Sequence, residues 1–218
     1  MAVEMSKIRE LAESFAAKGN PSGWFEQVYQ QSGGDINQIY WADQEPNPCL
    51  VEWLQQNAVS GKRAIVVGCG TGDDVAFLAA QGFEVIGFDI SETAIEMCKR
   101  RFPGSIECFH VADLFKLPSS WPGQFDLVFE CNTIQALSGE WRFRALNGIA
   151  DLVAPGGVVL VSCRSRNSGD KEDEFPLPLD LDEISAFERT GMQRLSLDSY
   201  DDDQQPPVPH FFACYQRA

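Results

Sequence analysis

The segment richest in chemistry is Val66-Val67-Gly68-Cys69-Gly70-Thr71-Gly72, followed at once by Asp73 and Asp74. Alternate glycines let main chain approach a ligand with no side chain between them. The apolar residues before them read as a strand and the residues after them as a helix, so the glycines occupy a βα turn at a strand tip. Asp89 lies 21 residues beyond Gly68, at the end of the next apolar stretch. A carboxylate at that neighbouring tip accepts the hydroxyl protons of a ribose. The spacing therefore predicts a nucleoside site.

The helix start narrows the choice of nucleoside. A dinucleotide fingerprint carries a further glycine where this chain has Asp73, because pyrophosphate rests on a bare helix N-terminus. Two carboxylates there repel a phosphate, although they also complement the helix dipole. S-adenosylmethionine has no phosphate and carries a sulfonium and an ammonium. The residues favour it over NAD.

The elements that must position these groups follow from periodicity. Apolar stretches at 63–67, 84–89, 106–111, 125–130 and 157–163 read as strands, separated by helices at 73–81, 91–101 and 141–152. Ser91 is a good N-cap for the second of these helices. This alternation predicts a mostly parallel sheet covered on both faces. A helix near 182–189 and strands at 193–200 and 211–217 read as an antiparallel end of the sheet. Before the core, helices at 6–17, from Pro21 to Gly33, and at 49–57 form a cap. The reading is one α/β domain over 1–218, with a helical cap or lid over 1–58 and a core over 59–218.

Composition bounds the function. The 218 residues are 44% hydrophobic, and Asp and Glu outnumber Lys and Arg 32 to 17, for a formal charge of −15. Nucleic-acid binding needs clustered cations, so it is disfavoured, as is an anionic membrane surface. No apolar run approaches the ~18 residues of a spanning helix. The first residues lack the order of a secretory signal. Seven dispersed cysteines without a C-x-x-C pair predict neither a disulfide framework nor a zinc site, and point to the cytoplasm. Oligomeric state stays open.

Gly68-Cys69-Gly70-Thr71-Gly72, Asp89-Ile90-Ser91, Ala112-Asp113-Leu114, Phe125 to Glu130 and Leu152-Val153-Ala154-Pro155-Gly156-Gly157 together resemble the class I S-adenosylmethionine-dependent methyltransferases. The resemblance covers about 60–165 and implies a Rossmann-like fold of seven strands with an antiparallel last strand. It implies that Gly68, Gly70 and Gly72 line the methionine and ribose, with Cys69 and Asp73 in the same turn. Asp89 and Ile90 then meet the ribose, and Ala112, Asp113 and Leu114 the adenine, Asp113 accepting from its amino group. Trp41 and Glu130 complete the cofactor set. The segment Trp41-Ala42-Asp43-Gln44-Glu45-Pro46-Asn47-Pro48 is similar to the thiopurine and thiol methyltransferase group, where it lies over the cofactor beside the acceptor. Two departures are an added Ala42 and Cys131, where the thiopurine enzymes have arginine.

These motifs imply transfer of a methyl group to a small molecule by in-line displacement, which rests on alignment and exclusion of water. A thiol is already partly ionised near neutrality and needs little help, whereas a hydroxyl needs a base or a metal. A thiol or other soft nucleophile is the leading acceptor. Oxygen, nitrogen or an oxyanion such as tellurite is the alternative, and a non-catalytic S-adenosylmethionine-binding protein is a rival of another class. Tyr40, Trp41, Cys131, Asn132, Arg164 and His210 are the candidate acceptor contacts. His210 and Glu130 are the candidate bases.

Trp24, Tyr40 and Trp41 either face the sulfonium through cation–π contacts or pack the cap. His110 is read as buried in the third strand or functional. Cys131 is a pocket-lining or core thiol with no role in covalent catalysis. Arg164-Ser165-Arg166-Asn167 is either a lid for an anionic acceptor or a plain connection. The charged run 169–174 reads as a solvated loop, and no metal is expected.

Overall fold

Residues 2–170 and 175–218 are described in a computed structural model. The expected loop at 169–174 lies largely outside them. Five parallel strands form the middle of the chain: β1 (Arg63–Val67), β2 (Glu84–Asp89), β3 (Phe109–Val111), β4 (Phe125–Cys131) and β5 (Val153–Arg164). Strands β6 (Met192–Asp201) and β7 (Pro209–Arg217) close the sheet in the order β3-β2-β1-β4-β5-β7-β6. β7 runs antiparallel to both β5 and β6, as the sequence predicts. Strand order reverses beside β1, with β2 on one side and β4 on the other, which opens a crevice above their carboxyl ends.

Alternation along each strand sends successive residues to opposite faces. Ile65, Val67, Val128, Val159 and Val161 pack on one face with Ala145, Leu146 and Ile149 of helix α6 (Gly139–Leu152). Ala64, Val66, Leu127, Phe129 and Leu160 pack on the other. There they meet Leu50 of α3 (Pro48–Gln56) and Val75 and Leu78 of α4 (Asp73–Ala80). Burial on both faces explains why the strands read as continuous apolar runs.

Helices α1 (Ala2–Ala16) and α2 (Trp24–Gln31) form the cap with α3. Trp24, Val28 and Tyr29 pack on Ala94 and Met97 of α5 (Glu92–Arg101). Glu26 fastens this contact by accepting from Ser91 Oγ at 2.5 Å and Thr93 Oγ1 at 2.7 Å. Ser91 also caps α5 through the Ala94 amide, as expected.

Two elements, and one side chain on the first of them, differ from the sequence reading. The third strand spans only 109–111, because Pro103-Gly104 starts a 3-10 turn that runs to Cys108 and leaves Ile106 exposed. His110 on that strand is exposed rather than buried, with its ring edge-on to Trp121. The helix expected at 182–189 is one α turn, α7 (Leu181–Ile184), continued as 3-10 helix to Thr190 and stopped by Gly191 at φ +83°. Among the described residues, no helix is long and apolar enough to cross a membrane.

Candidate active site

The glycine turn is built by its backbone. Gly68, Gly70 and Gly72 adopt φ of +59°, +53° and +89°, a region that glycine enters without penalty. A Cβ on Gly68 would collide with Thr133 Oγ1, and one on Gly72 would stand 2.9 Å from both Cys98 Sγ and the Phe109 ring. Asp89 joins the two strand tips: Oδ2 accepts from Gly70 N at 3.1 Å and Oδ1 from Ser91 N at 2.9 Å. Burial pushes this carboxyl up to about 6 against the pull of those amides. A carboxylate has roughly four acceptor sites, so lone pairs remain for ribose hydroxyls. A cradle with no side chains beside an anchored carboxylate fits the nucleoside half of S-adenosylmethionine.

Asp73 and Asp74 each have a protein partner. Asp73 is held by Arg101 through two bonds of 2.7 Å and also accepts from Thr71 Oγ1 at 2.8 Å. This bidentate pair braces the turn, and neutralises the charge that was expected to act on a ligand. Asp74 Oδ1 accepts from Asn47 N at 2.7 Å, tying the cap loop to α4. Burial first, then Asp73 and Asp43, raise Asp74 to about 6.

Around the turn, Ala112 N donates to Asp89 O at 3.0 Å. Asp113 is half-buried and caps its own 3-10 turn through Phe115 N at 2.9 Å. Leu114 packs by Gly148 on α6. Ile90 is half-buried beside Asp89. Cys69 is buried beneath the turn, where a hydrogen bond with Cys98 and then burial hold its thiol protonated.

The cap lies over the glycines. Tyr29 Oη would stand 3.3 Å from a Cβ on Gly70, and Trp41 Nε1 donates to that same Oη at 2.9 Å. Trp24 is fully buried in the cap against Phe25, Trp41 and Phe175. Trp41 is only half-buried, and Tyr40 is 49% exposed with its ring edge-on to Trp41.

On the other side, Glu130 and Cys131 leave β4 on opposite faces. Glu130 is fully buried, and its Oε1 accepts from Thr133 N at 2.6 Å and Ile134 N at 2.9 Å. Oε2 is buried without a partner among the described residues, and burial raises the group to about 7. Glu130, a candidate base, thus has Oε1 engaged by the turn it caps.

Cys131 Sγ instead faces Asn47, whose Nδ2 lies 3.4 Å from it and 3.4 Å from Ser162 Oγ. Burial holds the Cys131 thiol well above its ordinary range, which fits a protonated lining group. Asn132 is exposed at φ +64°, and its amide donates to Ser162 O at 2.9 Å. Ser162 Oγ and Tyr200 Oη are 3.3 Å apart. The Tyr200 ring stacks on His210 at 5.3 Å.

Arg164 is the register partner of His210, so both sit at the carboxyl end of β5. Arg166 differs from the lid reading: it pairs with Asp180 at 2.9 Å and Glu183 at 2.7 Å, which pins the loop after β5. No group of three or more potential metal ligands is gathered among the described residues. The polar contacts made by Asn47, Tyr29, Ser162 and Tyr200 are not signalled by the sequence. Asn47-Pro48 carries the signal of an N-cap with proline at N1, and Asn47 does cap α3, but that signal is silent about its reach to β4 and β5.

Comparison with known proteins agrees with this geometry. A relative from Arabidopsis thaliana described as "Probable thiol methyltransferase 2" is 24% identical over 213 residues, covering 89% of this chain and 92% of its own. A structure titled "Conversion of a Disulfide Bond into a Thioacetal Group during Echinomycin Biosynthesis" superposes with TM-score 0.70 at 21% identity, over 90% of this chain and 91% of that one. A phosphoethanolamine N-methyltransferase 2 from Haemonchus contortus, in complex with S-adenosyl-L-methionine, gives 0.67 at 15% identity, over 88% and 60%. The family model described as Thiopurine S-methyltransferase matches residues 25–207, from the cap across the glycine turn to the β6–β7 connection. With a match of that extent over this cradle, the chain belongs to the thiopurine S-methyltransferase family and is an S-adenosylmethionine-dependent methyltransferase.

Proposed function

We propose that the protein methylates a small-molecule thiol. The observation that carries the reading is the glycine cradle closed by Asp89 in a chain that matches a thiol methyltransferase over nearly its whole length. S-adenosylmethionine, when bound, supplies a methyl group on a sulfonium. Main chain at Gly68 to Gly72 lies along its methionine and ribose, Asp89 and Ile90 hold the ribose, and Ala112 to Leu114 take the adenine. Tyr29 and Trp41 cover the turn, and the half-buried Trp41 is the ring available for a cation–π contact worth about 0.5–2 kcal/mol. Cys131, Asn132, Arg164 and His210 border the acceptor, with Tyr40 at the mouth. A thiol acidic enough to be ionised near neutrality reacts once aligned, whereas a less acidic one must first lose its proton.

The acidic surface and the absence of a clustered basic patch in the sequence support a small acceptor over nucleic acid. Seven free cysteines support a cytoplasmic location. The test is release of S-adenosylhomocysteine, followed by mass spectrometry, with small thiols, hydrosulfide, catechols, amines and tellurite. Turnover with thiols is the expected result. Product from oxygen or nitrogen acceptors alone overturns the reading, and cofactor binding without product from any acceptor returns the non-catalytic one.

A further inference from the structure

The His210 ring is held in a defined way by the turn that precedes it. Its Nδ1 lies 2.8 Å from Val208 O. A carbonyl only accepts, so Nδ1 carries the hydrogen and Nε2 keeps its lone pair in the neutral ring. The Val208 carbonyl is in turn placed by Asp202, whose main chain donates to it at 3.0 Å. Asp202 Oδ1 accepts from Val208 N at 2.9 Å and from Gln204 N at 3.1 Å. Its Oδ2 accepts from Gln204 Nε2 at 2.6 Å and lies 3.9 Å from His210 Nδ1. Both sides of residue 208 are therefore fixed by one aspartate. Burial raises the Asp202 carboxyl, but the bonds from Val208 and Gln204 outweigh it and keep the group charged.

The ring is also placed relative to the acceptor side. Tyr200 stacks on it from β6, and Arg164 is its register partner on β5. Tyr200 reaches Ser162, and Ser162 reaches Asn47, which contacts Cys131 at the tip of β4. From the cap loop, Asp43 is raised by burial and then by Asp73 and Asp202.

We propose that Asp202 is a positioning residue for the acceptor's proton: through Val208 it holds His210 with Nε2 as the base that takes the proton of the incoming thiol. The inference rests on the thiol reading above. The S–H proton passes to Nε2, and the sulfur electron pair forms the new S–C bond. The old C–S bond breaks with its pair left on the donor sulfur, and His210 returns its proton to water.

Two measurements test this. In the first, kcat/KM is followed against pH for a series of thiols of graded acidity in wild type, His210→Gln and Asp202→Asn. General-base help is worth about 10²–10⁴-fold where a proton must be removed. Both variants are expected to lose about 100-fold or more with weakly acidic alkyl thiols, yet stay within a few-fold of wild type with aryl thiols already ionised. A loss equal for all thiols, or an Asp202→Asn profile that coincides with wild type, overturns the proposal.

The second reads the tautomer without turnover, from the imidazole ¹⁵N shifts of wild type, with His110→Gln assigning the two rings. His210 is expected protonated at Nδ1, and as a mixture of tautomers in Asp202→Asn. An Nε2–H ring in wild type overturns the inference even if either variant fails to fold. If wild type turns over no thiol, the thiol reading falls and the base assignment falls with it, whereas thiol turnover with an Nε2–H ring sinks only the base assignment.

Discussion

The glycine turn and the β6–β7 turn lie at the same end of the sheet and are made in opposite ways. At the glycine turn, three positive-φ residues, one carboxylate and an Arg101–Asp73 pair define a backbone surface within a short stretch of chain and its neighbouring strand. At the β6–β7 side, Asn47, Cys131, Ser162, Tyr200 and His210 come from the cap and four strands; Cys131–Ser162 and Tyr200–His210 are register partners, and side chains join the two pairs to each other and to Asn47. A site made of main chain tolerates almost no substitution at its glycines. A site made of converging side chains loses function by degrees and can change its acceptor without changing the fold.

The largest effect that tests this contrast is Gly68→Ala. A left-handed backbone costs roughly 1–2 kcal/mol for a residue with a Cβ, and the collision with Thr133 adds to it. We expect cofactor affinity to fall at least 100-fold by calorimetry, with a lower Tm. Affinity retained would mean that the turn is pliable and the contrast false.

Next comes Asp89→Ala, which removes the carboxylate between the two tips. Losing the charge-assisted bonds to the ribose costs about 1.5–3 kcal/mol in total, so cofactor binding should weaken by about 10–100-fold. Unchanged affinity would move the ribose elsewhere.

Glu130 tests stability through pH. Its folded-state value, about 7, lies above the ordinary 4.5, so the folded protein binds this proton more tightly than the unfolded chain does. The stabilising contribution is fully present below about 4.5 and is lost as pH rises through about 7. Glu130→Gln should therefore flatten the fall in Tm between pH 5 and pH 8, while sparing the acceptor's KM. A raised KM with an unchanged Tm slope would place Glu130 at the acceptor site.

Asn47→Ala has the smallest expected effect. Losing an N-cap costs roughly 0.5–2 kcal/mol, and the cap loop should loosen enough to raise the acceptor KM a few-fold at constant cofactor affinity. A cofactor defect as large as that of Gly68→Ala would show that the two regions are one rigid unit.

Much of the cofactor side was legible because its signals are local. The glycines, Asp89 and the Ser91 cap act within a few residues of themselves or on the adjacent strand, where alternation fixes which tips are neighbours. The start of β3 was misplaced because Ile106 is apolar, and Pro103-Gly104 favoured a turn that the apolar pattern does not register. The charges at 73 and 74 were visible, but not their partners: Arg101 reaches Asp73 from the far end of α5, and Asn47 reaches Asp74 from the cap. The amide partners of Glu130 were hidden for the same reason, since alternation places it opposite Cys131 but does not reveal that Thr133 and Ile134 close over it.

By itself the sequence determined the alternating sheet and the backbone cradle at the first strand tip, because short-range sterics and apolar periodicity act on neighbouring residues, whereas the strand order that opens the crevice belongs to the tertiary structure. The tertiary structure alone decided which polar groups remain available at that crevice. Burial and hydrogen bonding between remote segments committed Asp73, Asp74, Glu130 and Arg166 to the scaffold, and left His210 with its Nε2 lone pair.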